Sequence, residues 1–277
     1  MSLSGLPSPP PFPLIVLLTD FGLKDPFVGM MKGVIAGIAP QARCIDLSHE
    51  ITPHDVREGM LVLQASYRYF PPHTIFLLVV DPGVGSQRRP LLAITERYRF
   101  VAPDNGILTP IYQQEAPVRV LHITARQYFL NQVSTTFHGR DLFAPVAAWL
   151  ATGVDPATFG PEITDPVSLP LPRPQWLDST TLRGEIVYID RFGNLMTNIT
   201  PDLIPAGQQP ARGEGMTIRF RSYRIPHLCS SYAEQEAGKL GALFNSWGLL
   251  ELFFKEESAR SILQARLGEE VFLCFPA

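Results

Sequence analysis

A chain of 277 residues suits one large domain or two modest ones, and either can bury a real core. Apolar residues make up 45% and charged residues 18%, which excludes a disordered chain, and a net charge of −3 offers no basic face for a nucleic-acid partner. The three cysteines, Cys44, Cys229 and Cys274, are odd in number, widely spaced and without a CxxC pair, so they read as buried thiols in a reducing compartment rather than a disulfide framework.

Taken in chain order, Met1–Pro13 is Ser/Pro-rich and reads as a loose, polyproline-like tail. The apolar run Leu14–Leu18 is far too short to span a bilayer and no basic segment precedes it, so neither a membrane partner nor a signal peptide is expected and the expected location is cytoplasmic. Ile15–Thr19 has the character of a fully buried strand, followed by the turn Asp20-Phe-Gly. Phe27–Ala39 reads as a helix, with Val28, Met31, Val34, Ile35 and Ile38 on one face and Pro40 as its stop. Arg43–Leu47 is the next predicted strand. A second helix is predicted from about Val56 to Tyr69, capped by Asp55, with Met60, Leu63 and Tyr67 along one side. Ile75–Val80 is another buried strand, Leu91–Thr95 and Tyr98–Ala102 a hairpin, Val118–Thr124 a further strand, and Asp141–Ala151 a helix ended by Gly153. Strands alternating with helices predict an α/β domain over 14–168, with a mostly parallel sheet between helices.

The Pro-rich run Leu169–Pro174 opens a predicted linker over 169–181. Beyond it the rhythm changes. Leu182–Ile189, Met216–Arg221, Leu249–Phe254 and Val271–Phe275 are short strand-like runs between turn residues, and Ser258–Leu267 is the one weakly helical stretch. A small C-terminal β-barrel or sandwich domain over 182–277 is predicted.

The polar residues fall in a pattern. Asp20, Asp81 and Asp104 each follow a predicted strand, where ligands bind in open parallel sheets; Asp residues also cap helices and make turns at such places. Asp81 opens Asp81-Pro-Gly-Val-Gly-Ser-Gln-Arg88, which is neither a dinucleotide fingerprint nor a P-loop, and Arg88 is close enough in sequence to fold back on Asp81. His138, in Thr136-Phe-His-Gly-Arg-Asp141, stands before a helix either as a catalyst or as a structural donor. There is no HExxH, no close Cys/His pair and no GxSxG, so neither a metal site nor a nucleophile elbow is expected. In the second domain, Asp190–Asn198 and Asn245–Gly248 are polar turns that would serve a ligand or simply make β-turns.

Together these segments resemble the SAM hydroxide adenosyltransferase family, relatives of the S-adenosylmethionine (SAM)-dependent fluorinase and chlorinase. The landmarks are Leu18-Thr-Asp-Phe-Gly22, Asp25, Met31-Lys-Gly33, Thr52-Pro-His-Asp-Val56, Asp81-Pro-Gly-Val-Gly85, Ala102-Pro-Asp-Asn-Gly-Ile-Leu108, Phe137-His-Gly-Arg-Asp141, Asp190-Arg-Phe-Gly-Asn194 and Asn245-Ser-Trp-Gly248. Each is weak alone; their order and spacing are specific. The resemblance implies an α/β domain followed by a small β domain, a homotrimer with SAM held between subunits, and hydrolysis of SAM to adenosine and methionine without a cofactor, SAM being the substrate. It implies an Asp–Arg–His triad at Asp81, Arg88 and His138. By position, Asp20 would hold the ribose hydroxyls, Asn194 would read the adenine edge and Tyr232 would flank the ring. Asp190 and Ser246 would hold the methionine head group, with Asp25 as a further candidate, and Asn105 and Phe137 complete the substrate-binding set.

Departures separate the branches. Halogenating enzymes carry Tyr where this chain has Asp81, and a carboxylate repels a bound halide. The fluorinase's halide-pocket Thr and Ser correspond to Val84 and Gly139 here, although Gly139 matches the chlorinase. Trp247 stands where the fluorinase has Arg, and His54 where it has Trp. Three other functions compete: SAM-dependent halide transfer, a SAM or adenosine sensor without turnover, and a generic nucleotide-binding α/β protein in which the landmark segments do not converge.

Overall fold

The structure, a computed structural model, describes residues 12–204 and 215–276. All but the last two residues of the Ser/Pro-rich opening segment therefore lie outside the described residues. The chain divides into two compact units, Met1–Leu169 and Pro170–Ala277.

In the first unit, β1 (Leu14–Thr19) is buried along its whole length, as a strand covered on both faces must be. The chain continues through α1 (Phe27–Ile38), β2 (Arg43–Ser48), α2 (Val56–Ser66), β3 (Ile75–Val79), β4 (Pro90–Ile94), β5 (Arg99–Pro103), α3 (Thr109–Gln114), β6 (Arg119–His122), α4 (Ala144–Ala151) and β7 (Glu162–Ile163). The sheet order is β2-β1-β3-β5-β4-β6-β7. β2, β1, β3 and β5 run parallel, β4 returns antiparallel from β5 as the predicted hairpin, and β6 again points with the parallel set. The sheet is thus mostly parallel, with an antiparallel far edge at β7. α1 packs against α4, and α2 against α3. Asp55 caps α2 as predicted, accepting the Glu58 N–H at 2.9 Å, while the Glu58 carboxylate accepts the Thr52 N–H at 3.0 Å. That helix is shorter than predicted: it ends at Ser66 and tightens into a 3-10 turn at Tyr67–Tyr69. The helix predicted from Asp141 begins instead as a π-helical turn, Gly139–Phe143, and becomes α only at Ala144.

In the second unit, β8 (Gln175–Trp176), β9 (Thr181–Ile189), β10 (Leu195–Thr197), β11 (Thr217–Phe220), β12 (Tyr223–Ile225), β13 (Leu240–Phe244), β14 (Leu250–Phe254) and β15 (Glu270–Cys274), with α5 (Ala259–Leu263) before the last strand, form a nearly closed antiparallel barrel. Its order is β12-β11-β15-β9-β10-β14-β13, with β8 added on β9. Inward residues such as Leu182, Ile186, Leu195, Leu252 and Leu273 make one apolar core. β10, β12 and β13 are absent from the sequence reading; two have only three residues, and β13 carries a glycine that weakens its strand signal.

No disulfide forms among the three cysteines: Cys229 is buried, but Cys44 and Cys274 are only half-buried. No helix among the described residues is long and apolar enough to cross a membrane.

Candidate active site

In the first unit the parallel register carries the site. Thr19 and Val79 are partners on the adjacent strands β1 and β3, so Asp20 and Asp81 leave the sheet side by side at its C-terminal edge. Asp20 accepts the N–H of His54 at 2.9 Å. Asp81 is gripped by Arg88: Nε lies 2.9 Å from Oδ1 and 3.0 Å from Oδ2, with Nη2 also on Oδ2. The two side chains are only 5% and 8% exposed, so this pair is shielded from water rather than lying on the surface. Arg88 Nη2 reaches 2.7 Å from His138 Nδ1, and the guanidinium lies over the Phe143 ring, 5.1 Å from its centroid. Asp81, Arg88 and His138 thus form one connected cluster drawn from two loops.

Arg88 decides the state of His138. A guanidinium only donates, so Nδ1 must accept and the ring proton sits on Nε2. Burial first, and the Arg88 charge second, push the imidazole below its ordinary pKa, so it is neutral at pH 7.

Backbone placement explains why two loops meet. Gly85 has φ +78°, and a Cβ there would stand 2.5 Å from the Thr135 carbonyl oxygen. The Asp81–Arg88 loop therefore touches the loop that delivers His138. That second loop is tied by fully buried Asp141, which accepts the Ser134 N–H at 2.8 Å and pairs with Arg140. Phe137 packs with Phe21 and Phe27 in an edge-to-face cluster beside the triad. A Cβ on Gly139 would come within 3.2–3.4 Å of Phe137, Met31 and Phe21.

Two expected site residues are otherwise engaged. Asp104 does not point to a ligand: its carboxylate takes Arg89 Nε and the Val167 N–H, both at 2.8 Å. Asn105 donates to the Val80 carbonyl at 2.8 Å and accepts from the Ile107 N–H at 3.2 Å, tying the exit of β5 to that of β3 next to Asp81. Asp25 is exposed.

The second unit gathers its own set. Directly paired residues share a face, so Tyr188, Met196, Glu251 and Leu243 form one row across β9, β10, β14 and β13. Their neighbours Leu195, Leu252 and Ala242 point into the barrel core, which puts the row on its outside. Asp190 and Asn194 close the β9–β10 turn at this face. Asp190 Oδ1 accepts the N–H groups of Phe192 and Asn194 at 2.9 and 2.8 Å, and Oδ2 accepts Asn194 Nδ2 at 3.2 Å. Trp247, in the β13–β14 turn, packs at 4.9 Å against Tyr188 with the rings tilted by 44°, and Tyr232 packs at 4.9 Å edge-on against Phe253. Ser246 is exposed at the tip of its turn. The residues expected on this unit thus converge on one barrel face. Glu251, absent from the sequence reading, is fully buried in the middle of it.

Models of the SAM hydroxide adenosyltransferase N-terminal and C-terminal domains match residues 15–160 and 184–272. The chain belongs to the SAM hydroxide adenosyltransferase family. Within this family it resembles a protein named (R)-S-adenosyl-L-methionine hydrolase from Thermus thermophilus, 34% identical over 94% of this chain and 98% of the relative. A protein of the same name from Salinispora arenicola is 39% identical over 94% of this chain and 97% of the relative. Three fluorinases match less closely, at 25, 27 and 29% identity. Among solved structures, an uncharacterized conserved protein from Thermotoga maritima superposes with a TM-score of 0.87 at 34% identity, covering 94% of this chain and 99% of its own.

Proposed function

We propose that this chain hydrolyses SAM to adenosine and methionine, and the observation that carries the proposal is the connected Asp81–Arg88–His138 cluster at the end of the parallel sheet. Methionine leaves SAM as a neutral thioether, so the leaving group needs no acid. What the reaction needs is a water in line with the C5′–S bond. The neutral His138 offers its Nε2–H to a lone pair of that water, and Asp81 offers a carboxylate oxygen to one of its hydrogens. The water oxygen bonds to C5′ as the C5′–S pair withdraws onto sulfur. The oxygen becomes strongly acidic as that bond forms, so a carboxylate suffices as the proton acceptor; Asp81 takes the proton and passes it to solvent. His138 cannot take it at Nε2 while Arg88 occupies Nδ1. Positioning of this kind supplies about 7–11 kcal/mol of a barrier. The Phe21–Phe27–Phe137 cluster supplies an apolar wall, and water exclusion favours a reaction that disperses charge.

The remaining assignments rest on the family pattern and on the surfaces described. Asp20 holds the ribose hydroxyls, Asn194 meets the adenine edge, Tyr232 flanks the ring, and Asp190, Ser246 and Asp25 take the methionine end. Asn105 serves by fixing the strand exits behind Asp81. The assembly proposed is a homotrimer with shared sites, in the cytoplasm, acting without cofactor or metal. Halide transfer fits less well, because a carboxylate stands at Asp81 and repels a bound halide; the tight packing around Gly139 bears only on the fluorinase's hydroxyl, since the chlorinase has glycine there too. A sensor without turnover has no use for an intact triad.

Incubation with SAM in oxygen-18 water, with and without chelator and with chloride present, tests this. Label in the adenosine 5′-hydroxyl, unaffected by chelation, is expected; a 5′-chloronucleoside, or no turnover, would overturn the reading.

A further inference from the structure

The one fully buried glutamate of the chain's described residues lies on the barrel face that the proposed function assigns to substrate. A carboxylate there is expensive to desolvate, and burial does raise the Glu251 pKa. The Asp190 charge, close enough to act on both, raises Glu251 and Tyr232 together. Nothing in the barrel core uses Glu251, because its side chain points to the opposite face from Leu250 and Leu252. Both of its oxygens are instead spent on one task. Oε1 accepts the Tyr232 hydroxyl at 2.8 Å, and Oε2 accepts Asn245 Nδ2 at 2.8 Å. Asn245 in turn shapes its own turn, Oδ1 accepting the N–H groups of Trp247 at 2.9 Å and Leu249 at 3.1 Å. One buried carboxylate therefore links the loop carrying Tyr232 to the turn carrying Ser246 and Trp247.

We infer that Glu251 is a positioning residue for SAM: it clamps Tyr232 and the Asn245–Gly248 turn onto one face, so that the aromatic flank and the polar turn meet the ligand in fixed register. The inference rests on the reading of this face as a SAM surface. It predicts a loss of binding rather than of chemistry, since Glu251 touches neither the triad nor, by this account, the ligand. A purely structural role predicts loss of folded protein with unchanged binding per folded molecule.

The clamp's geometry supplies its own rescue. Glu251→Gln can keep Asn245 only by turning its amide so that its nitrogen donates to the Tyr232 hydroxyl instead of an oxygen accepting from it, and Asn245→Asp places two carboxylates together. The double variant Asn245→Asp/Glu251→Gln reverses donor and acceptor. The carboxylate introduced at position 245 still accepts from Trp247 and Leu249 and now also accepts from the amide introduced at position 251. The oxygen of that amide still accepts from Tyr232. Adenosine and SAM are the probes, measured by calorimetry and steady-state kinetics alongside melting temperature. Asn245→Asp is expected to weaken adenosine binding and raise the KM for SAM by about tenfold or more, with kcat little changed, and Glu251→Gln to do so by less. The double variant is expected to recover most of both. An Asn245→Asp variant that binds as the unmodified protein does would overturn the inference, as would a double variant that recovers the melting temperature but not binding. Where the singles do not fold, the double decides alone. Failure of the unmodified protein to bind either probe would overturn the SAM reading itself, and this inference with it.

Discussion

His138 can act only in the form that Arg88 permits. With Nδ1 accepting from the guanidinium at 2.7 Å, protonating the imidazole would set two donors against each other. Acid therefore breaks the cluster. The folded-state pKa lies below the ordinary imidazole value of about 6.5. The sign follows from that depression: as pH falls, the unfolded chain takes up the proton first, so the stability tied to neutral His138 is complete above about pH 6.5 and is lost as pH falls from there towards the folded value. The pH profile of kcat/KM is expected to be flat above pH 7 and to fall through an apparent pKa below about 6.5. His138→Asn keeps an acceptor for Arg88 but removes the Nε2–H, and should lower kcat by about 10²–10⁴ with a near-native melting temperature. An acid limb that survives unchanged in that variant would show that another group controls it.

At the scale of the element, the contact between two loops holds the triad together. The Asp81–Arg88 loop and the 134–136 loop touch at Gly85 and Thr135, so a side chain at Gly85 must separate them. Gly85→Ala should lower both the melting temperature and kcat. The left-handed backbone alone costs about 1–2 kcal/mol, and the 2.5 Å approach adds to it. Gly153→Ala is the control: φ is +90° there, but nothing lies within 4 Å of the added carbon. It carries the backbone cost without the clash, and kcat should be unaffected. Equal losses in the two variants would mean that the loop contact does not position the triad. The π-helical turn belongs to the same arrangement, since it sets His138 and Phe143 on either flank of Arg88.

At the scale of the whole molecule, the polar groups are divided between two units. The triad and Asp20 belong to the first, and the Asp190–Asn194 turn, Tyr232 and the Asn245–Gly248 turn to the second. Under the proposed function each set lacks what the other has: the first would hold the water, the second would supply the aromatic and amide groups for an adenine. The proposed trimer makes activity depend on association. Sedimentation at assay concentration should show a trimer, and specific activity should fall on dilution below the concentration at which trimers persist. A fully active monomer would refute shared sites.

Local chemistry made much of this legible beforehand. The uninterrupted apolar run of β1, the Asp55 cap, the β4–β5 hairpin and the buried β3 all follow from period and turn residues that neighbours reinforce. The change from helix–strand alternation to short strands after the Pro-rich run marks the change of architecture. The approach of Arg88 to Asp81 is likewise readable, because a short loop brings the two within reach, whereas local pattern leaves His138 open between catalyst and structural donor and only the family resemblance joins it to them. What tertiary structure alone decided was direction. Asp20, Asp81 and Asp104 look alike in sequence, but Arg89 and Val167 claim Asp104, while Arg88 turns the other way to Asp81. Adjacent arginines point to different partners because of where the hairpin places them. Glu251 gave no signal at all: an alternating strand residue reads as solvent-facing, yet the Tyr232 loop and the Asn245 turn both engage it and it is fully buried. Burial and hydrogen-bond partners at such places come from segments distant in the chain, and no local pattern encodes them.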